Sequence, residues 1–178
     1  MMDESVVSYM KQVSVFKDFS DEELSILATV FRVRRYAPGE LLCKQGDAYA
    51  SLCVLVAGAV RIYHRISAAV KLELGVVDAF AILGQKSLID GSRRWENVEA
   101  TSDVIALECL RDDFHRLFKA NSVLAYKVLD FVITDLSNRV RQLDVVIQRM
   151  LANPDRSLGA ILDALSEASE AFGGGTSA

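Results

Sequence analysis

The residues with the most evident chemistry lie between Gly84 and Ala100, in the run GQKSLIDGSRRWENVEA. Gly84 lets the backbone approach a ligand with no Cβ in the way. Gln85-Lys86-Ser87-Leu88-Ile89 reads as a short helical turn whose first amides lack intrahelical acceptors and point outward. An Asp90-Gly91 turn follows, then the basic pair Arg93-Arg94 at the entry to an alternating strand. Arg94 brings a planar, permanently charged fork to the same spot as the amides. Together these groups form a small trap for an anion. The rest of the chain offers little reaction chemistry. His64 and His115 stand alone without metal-ligand spacing, and Asp112-Asp113 read as charge at a helix N-terminus. No nucleophile elbow, P-loop or zinc site is present, so neither an enzyme nor a cofactor is expected.

The elements around the trap follow from hydrophobic period. Val6 to Val30 reads as helical, with Ser20-Asp21-Glu22-Glu23 as a helix start carrying acids in its first turn. From Phe31 to Leu110 the period changes to two. Runs such as FRVRRYA, LLCKQ, SLCVLVAG, AVRIYHR, VKLELGVV and DVIALECL are separated by turn signals at Pro38-Gly39 and Gly46-Asp47, which predicts a small antiparallel barrel or sandwich. After Arg111 a short helix, RDDFHRLFKAN, precedes a long one that Asn121-Ser122 would cap and that runs to about Leu151. On it Tyr126, Leu129, Ile133, Leu136, Val140, Leu143, Ile147 and Met150 step by three and four over about four heptads, an a/d seam that calls for a partner helix. A second stripe, Val128, Phe131 and Val132, is placed to pack onto the barrel. Asn153-Pro154 ends the helix, Asp155 restarts one with Leu158, Ile161, Leu162, Leu165 and Phe172 on one face, and GGGTSA is a tail.

The trap resembles the phosphate-binding cassette of the cyclic nucleotide-binding domain family, whose pattern is roughly Gly-Glu-x-Ala-Leu, a spacer, Arg-Ser/Thr-Ala and a strand ending in Ala. Gly84, Ser87, Leu88, Arg94, Val98 and Ala100 fall into that register. The resemblance spans about Val13 to Asn153 and implies a jelly roll. It also implies ligand binding by Gly84, Gln85, Lys86, Ser87 and Arg94, with Trp95 beside them. Three positions depart from the pattern. Gln85 stands where the family's Glu receives a ribose 2′-hydroxyl, Trp95-Glu96 replace small residues, and Phe80-Ala81 replace a Gly-Asp. Gln85 keeps a carbonyl acceptor but loses its charge. Trp95 either stacks on a purine or fills a vacated pocket as core, and core filling is the stronger expectation.

The expected fold is therefore α+β: N-terminal helices and an antiparallel jelly-roll barrel over residues 1–121, a long dimerisation helix over 122–152, and a further helix and tail over 153–178. Among 178 residues, 24 acids against 20 bases give a net charge of −4, which disfavours a broadly basic nucleic-acid surface. In the catabolite-activator branch of the family a winged helix-turn-helix follows the long helix. One acidic helix here supplies no recognition helix, so DNA is not expected as a partner. Cys43, Cys53 and Cys109 have no CxxC spacing and read as buried free thiols. No signal peptide or membrane span is apparent, which points to a cytoplasmic protein. Two readings remain open. One is a stand-alone sensor that binds a cyclic nucleotide or related phosphate and signals through its long helix. The other is a homodimeric interaction module, joined through 126–150 and serving an unknown protein partner, whose pocket is silent. A third alternative is the truncated sensor part of a transcription regulator.

Overall fold

The structure, a computed structural model, describes residues 4–67, 70–120, 123–154 and 158–159. The expected cap at Asn121-Ser122 and most of the terminal helix and tail fall outside the described residues.

The N-terminal region divides into three pieces: α1 (Glu4–Met10), a 3-10 turn (Ser14–Phe16) and α2 (Asp21–Leu27). The break has a packing reason. Val13 and Phe16 are buried, and the Phe16 ring meets Phe19 and Phe31 edge-on at 5.9 and 5.7 Å, a cluster that a continuous helix would spread apart. Ser20 starts α2 with a reciprocal capping box. The Glu23 amide donates to the Ser20 hydroxyl at 3.2 Å, and the Ser20 amide donates to the Glu23 carboxylate at 2.8 Å.

Among the described residues, eight strands form two antiparallel four-stranded sheets, the sandwich that the period-two runs predict and the jelly roll that the resemblance implies. They are β1 (Phe31–Tyr36), β2 (Leu41–Cys43), β3 (Ser51–Ala57), β4 (Ala59–Arg65), β5 (Lys71–Asp78), β6 (Ile82–Leu83), β7 (Asn97–Ala100) and β8 (Val104–Leu110). One sheet runs β1-β8-β3-β6 and the other β2-β7-β4-β5. Alternation in β3 and β8 divides the interior in two. Leu52, Val54, Leu107 and Cys109 face the helices, where they join Met10, Leu27, Leu88, Val128 and Val132. Cys53, Leu55, Val104 and Ala106 face into the roll with Val60, Val98 and Ala100. Strand β3 is buried along nearly its whole length because it is covered on both faces.

Helix α3 (Gln85–Asp90) lies between β6 and β7, and α4 (Arg111–Lys119) leads to α5 (Val123–Ala152). The stripe Val128 and Val132 is buried against the barrel, with Phe131 packed beside it. The seam is divided. Leu129 and Leu136 lean on the core, whereas Tyr126, Ile133, Val140, Leu143, Ile147 and Met150 are 41–59% exposed. A 30-residue helix spans about 45 Å. Every residue from Asn138 to Pro154 is exposed, so its second half projects beyond the barrel. Among the described residues, no helix is long and apolar enough to cross a membrane.

Candidate functional site

The site is built from the ends of three elements. Gly84 adopts φ 85°, ψ 12° and turns the chain out of β6 into α3. The position is closed to any side chain, since a Cβ would overlap the Ser51 carbonyl oxygen and the Arg94 guanidinium. The short helix follows at once, and its first intrahelical bond runs from the Leu88 amide to the Gly84 carbonyl. The amides of Lys86 and Ser87 are thereby left at the edge of a cleft of about 200 Å³, lined also by Arg93, Arg94, Trp95 and Glu96. At the other end, Arg111 Nε and Nη2 donate to the Leu88 and Ile89 carbonyls and hold the last turn of α3. No signal in the sequence identified that strut.

Arg94 is 6% exposed. Its Nη2 donates to the Ser51 carbonyl at 2.6 Å and to the Ser51 hydroxyl at 2.9 Å. Its Nε is buried without a hydrogen-bond partner among the described residues. The backbone around it is fixed as firmly. The Arg94 amide donates to the Asp47 carbonyl at 2.9 Å, and the Gly46 amide donates to the Arg94 carbonyl at 2.7 Å. A guanidinium lining a cleft beside the first turn of a helix is an arrangement that suits an anion. Arg93 is spent differently, since its Nη1 donates to the Gly46 carbonyl at 2.8 Å on the outside.

Trp95 does not fill the core, contrary to the stronger of its two expectations. It is 44% exposed, with the Lys86 ammonium 5.3 Å over its ring and the His64 ring edge-on at 4.8 Å. His64 Nδ1 lies 2.6 Å from the Trp95 carbonyl, which can only accept, so Nδ1 carries the proton. That bond draws the chain after Arg94 toward β4 and turns the indole outward.

Gln85 takes a third direction. It is 5% exposed and does not line the cleft. Its amide nitrogen donates to the Ile82 carbonyl at 3.0 Å and to Asp135 on α5 at 2.7 Å. The same two acceptors receive Arg139, through Nη2 to Ile82 at 2.9 Å and Nε to Asp135 at 2.8 Å. Two donors and two acceptors thus close a ring joining β6, α3 and α5. Asp135 and Arg139 were absent from the site expected from sequence, although their i,i+4 spacing marks them as a pair on one helix face. The structure therefore brings Gly84, Lys86, Ser87, Arg94 and Trp95 together at the cleft and points Gln85 away from it.

The thiols near Arg94 are chemically quiet. Burial pushes the Cys53 thiol up to about 12 and the Cys43 thiol to about 11, so neither is a nucleophile near neutral pH.

Comparison with known proteins bears on the family and the fold. A family model described as "Cyclic nucleotide-binding domain" matches residues 33–121. The cGMP-dependent protein kinase, isozyme 1, of Drosophila melanogaster is 29% identical over 119 residues, which are 64% of this chain and 15% of the kinase. The chain therefore spans only a small part of that curated relative. A cyclic nucleotide-binding domain from Methylobacillus flagellatus KT superposes with a TM-score of 0.69 at 25% identity, covering 82% of this chain and 83% of that one. The Thermus thermophilus catabolite activator protein shares the fold at a TM-score of 0.60 and 23% identity, over 74% of this chain and 62% of its own.

Proposed function

Because this chain belongs to the cyclic nucleotide-binding domain family, whose model spans half of its 178 residues, we propose that it is a non-catalytic sensor for a cyclic nucleotide. The observation that carries the reading is the buried Arg94 guanidinium, which lines the cleft together with Lys86 and Ser87 of the α3 N-terminus. A cyclic phosphate seated there receives a charge-assisted bond from Arg94 and backbone bonds from α3, the two kinds of donor that suit a delocalised anion. Trp95 at the mouth offers a face for the base, and Gln85 is the side chain assigned to the ribose 2′-hydroxyl on the family pattern. The sensing unit is residues 1–121 and its output is α5, through which two copies pair. The printed name of the Drosophila relative makes cGMP the first ligand to try, with cAMP beside it.

Titration calorimetry of the full chain with cGMP and cAMP tests this reading. Arg94→Lys keeps a charge but loses the planar fork, and should weaken binding roughly ten- to a hundredfold, the equivalent of a charged hydrogen bond. Equal affinity in the wild type and the variant would remove the cleft as the site. A second reading has its own support, since Ser51 already receives Arg94 Nη2 and Glu96 adds a negative charge to the cleft. On that reading the pocket is silent and the dimer is an interaction module for a protein partner. Neither nucleotide would then raise the melting temperature at millimolar concentration.

A further inference from the structure

The amide at position 85 is explained by the long helix and not by the cleft. Gln85 Nε2 donates to Asp135 Oδ2 at 2.7 Å, a bond that an ionised Glu at this position, which only accepts, could not make. A Glu at position 85 would set two carboxylates against each other there. The contact is half-buried: Gln85 is 5% exposed, and Arg139 pairs with Asp135 from the next turn of α5 while reaching the Ile82 carbonyl. The ring is thus a clasp between the cassette and α5, and its cassette end is the residue that follows Gly84.

Resting on the sensor reading above, we propose that Asp135 determines ligand selectivity by holding Gln85 away from the cleft. While α5 is docked, the site takes a phosphate through Arg94 and the α3 amides and does not read the ribose 2′-hydroxyl. A ligand bearing that hydroxyl gains Gln85 only when the amide leaves Asp135, so the hydroxyl and α5 compete for one side chain. The amide cannot serve both, because its side chain points to the helix in one pose and to the cleft in the other. Asp135 acts through Gln85 and touches no ligand itself.

The test uses 3′,5′-cyclic AMP and its 2′-deoxy analogue as probes on the full chain, by calorimetry, with wild type, Asp135→Ala and Gln85→Glu. In the wild type the two probes should bind within about a factor of two of each other. Asp135→Ala should strengthen cyclic AMP roughly tenfold, the scale of one released charge-assisted hydrogen bond, and leave the deoxy analogue unchanged. Gln85→Glu should act in the same sense, since its carboxylate is repelled by Asp135 and is a charged acceptor for the hydroxyl. It keeps the test open if Asp135→Ala folds poorly. Hydrogen exchange gives a second readout: cyclic AMP should speed exchange in α5 around residues 132–139 of the wild type, and the deoxy analogue should not. If Asp135→Ala shifts both probes by the same factor, Asp135 is a structural residue and the inference falls while the sensor reading stands. Binding of neither probe to any of the three proteins would overturn both.

Discussion

Replacing Gly84 with Ala tests the foundation of the site before any ligand is added. Two costs follow from the structure. The residue sits at φ 85°, where a Cβ costs about 1–2 kcal/mol against the backbone alone. The Cβ would also enter the space of the Ser51 carbonyl oxygen and of Arg94 Nη1. Ser51 belongs to the buried strand β3 and cannot yield cheaply, so Arg94 must swing away and give up its two bonds to Ser51. Losing a charged donor's contacts inside the fold costs about 1.5–3 kcal/mol more. The expected total is about 2.5–5 kcal/mol, a large share of the 5–15 kcal/mol typical of a domain. Gly39 is the internal control. It has nearly the same φ, 88°, but nothing within 4 Å of the added Cβ. Gly39→Ala should therefore cost only the backbone share. Urea unfolding followed by tryptophan fluorescence and circular dichroism reads both variants, and the gap between them isolates the collision. If the two substitutions shift the midpoint equally, the packing of Gly84 against Arg94 and Ser51 is not what holds the cleft in shape.

Two further outcomes follow from burial. Leu143→Asp combined with Ile147→Asp, on the projecting half of α5, should convert a dimer to a monomer in light scattering while leaving the melting temperature of the barrel nearly unchanged; a wild type already monomeric at micromolar concentration would refute the seam reasoning. Cys53, whose thiol burial pushes up to about 12, should resist iodoacetamide at pH 8 in the folded protein and react only in denaturant, and rapid labelling of the native state would contradict its enclosure.

The parts of this molecule legible in its sequence are those set by local periodicity and local turn chemistry. The alternation in SLCVLVA and DVIALECL announced two strands with two faces, and the capping box at Ser20 announced α2. The Gly84 to Ala100 spacing located the cassette, because a glycine at positive φ, a short helix and a returning Arg must follow each other closely to meet. What escaped was set by partners distant in the chain. Strand β6 is two residues long and exists because Cys53 and Val54 pair with Leu83 and Ile82, so it has no period to detect. Seam and core stripe overlap on α5, which is why Leu129 and Leu136 lean inward where a free coiled-coil face was expected. The direction of Gln85 depends on Asp135, 50 residues away. That of Trp95 depends on His64 and on the Lys86 ammonium above its ring.

The departures of the cassette from its family pattern thus have separate causes and need not share one meaning. Trp95 is tolerated after Arg94 because His64 ties its carbonyl to β4, which sends the ring outward and leaves the Arg94 side chain in the cleft. Gln85 exists where α5 presents a carboxylate, and that carboxylate is itself held by Arg139. The first change alters what surrounds the ligand, and the second alters what the ligand must displace. Arg94 is held at Ser51 by two bonds while it lines the cleft together with Lys86 and Ser87. The place of Arg94 at the cleft and the turn of Gln85 toward α5 are thus separate features of the cassette, one set by Ser51 on β3 and the other by Asp135, 50 residues away.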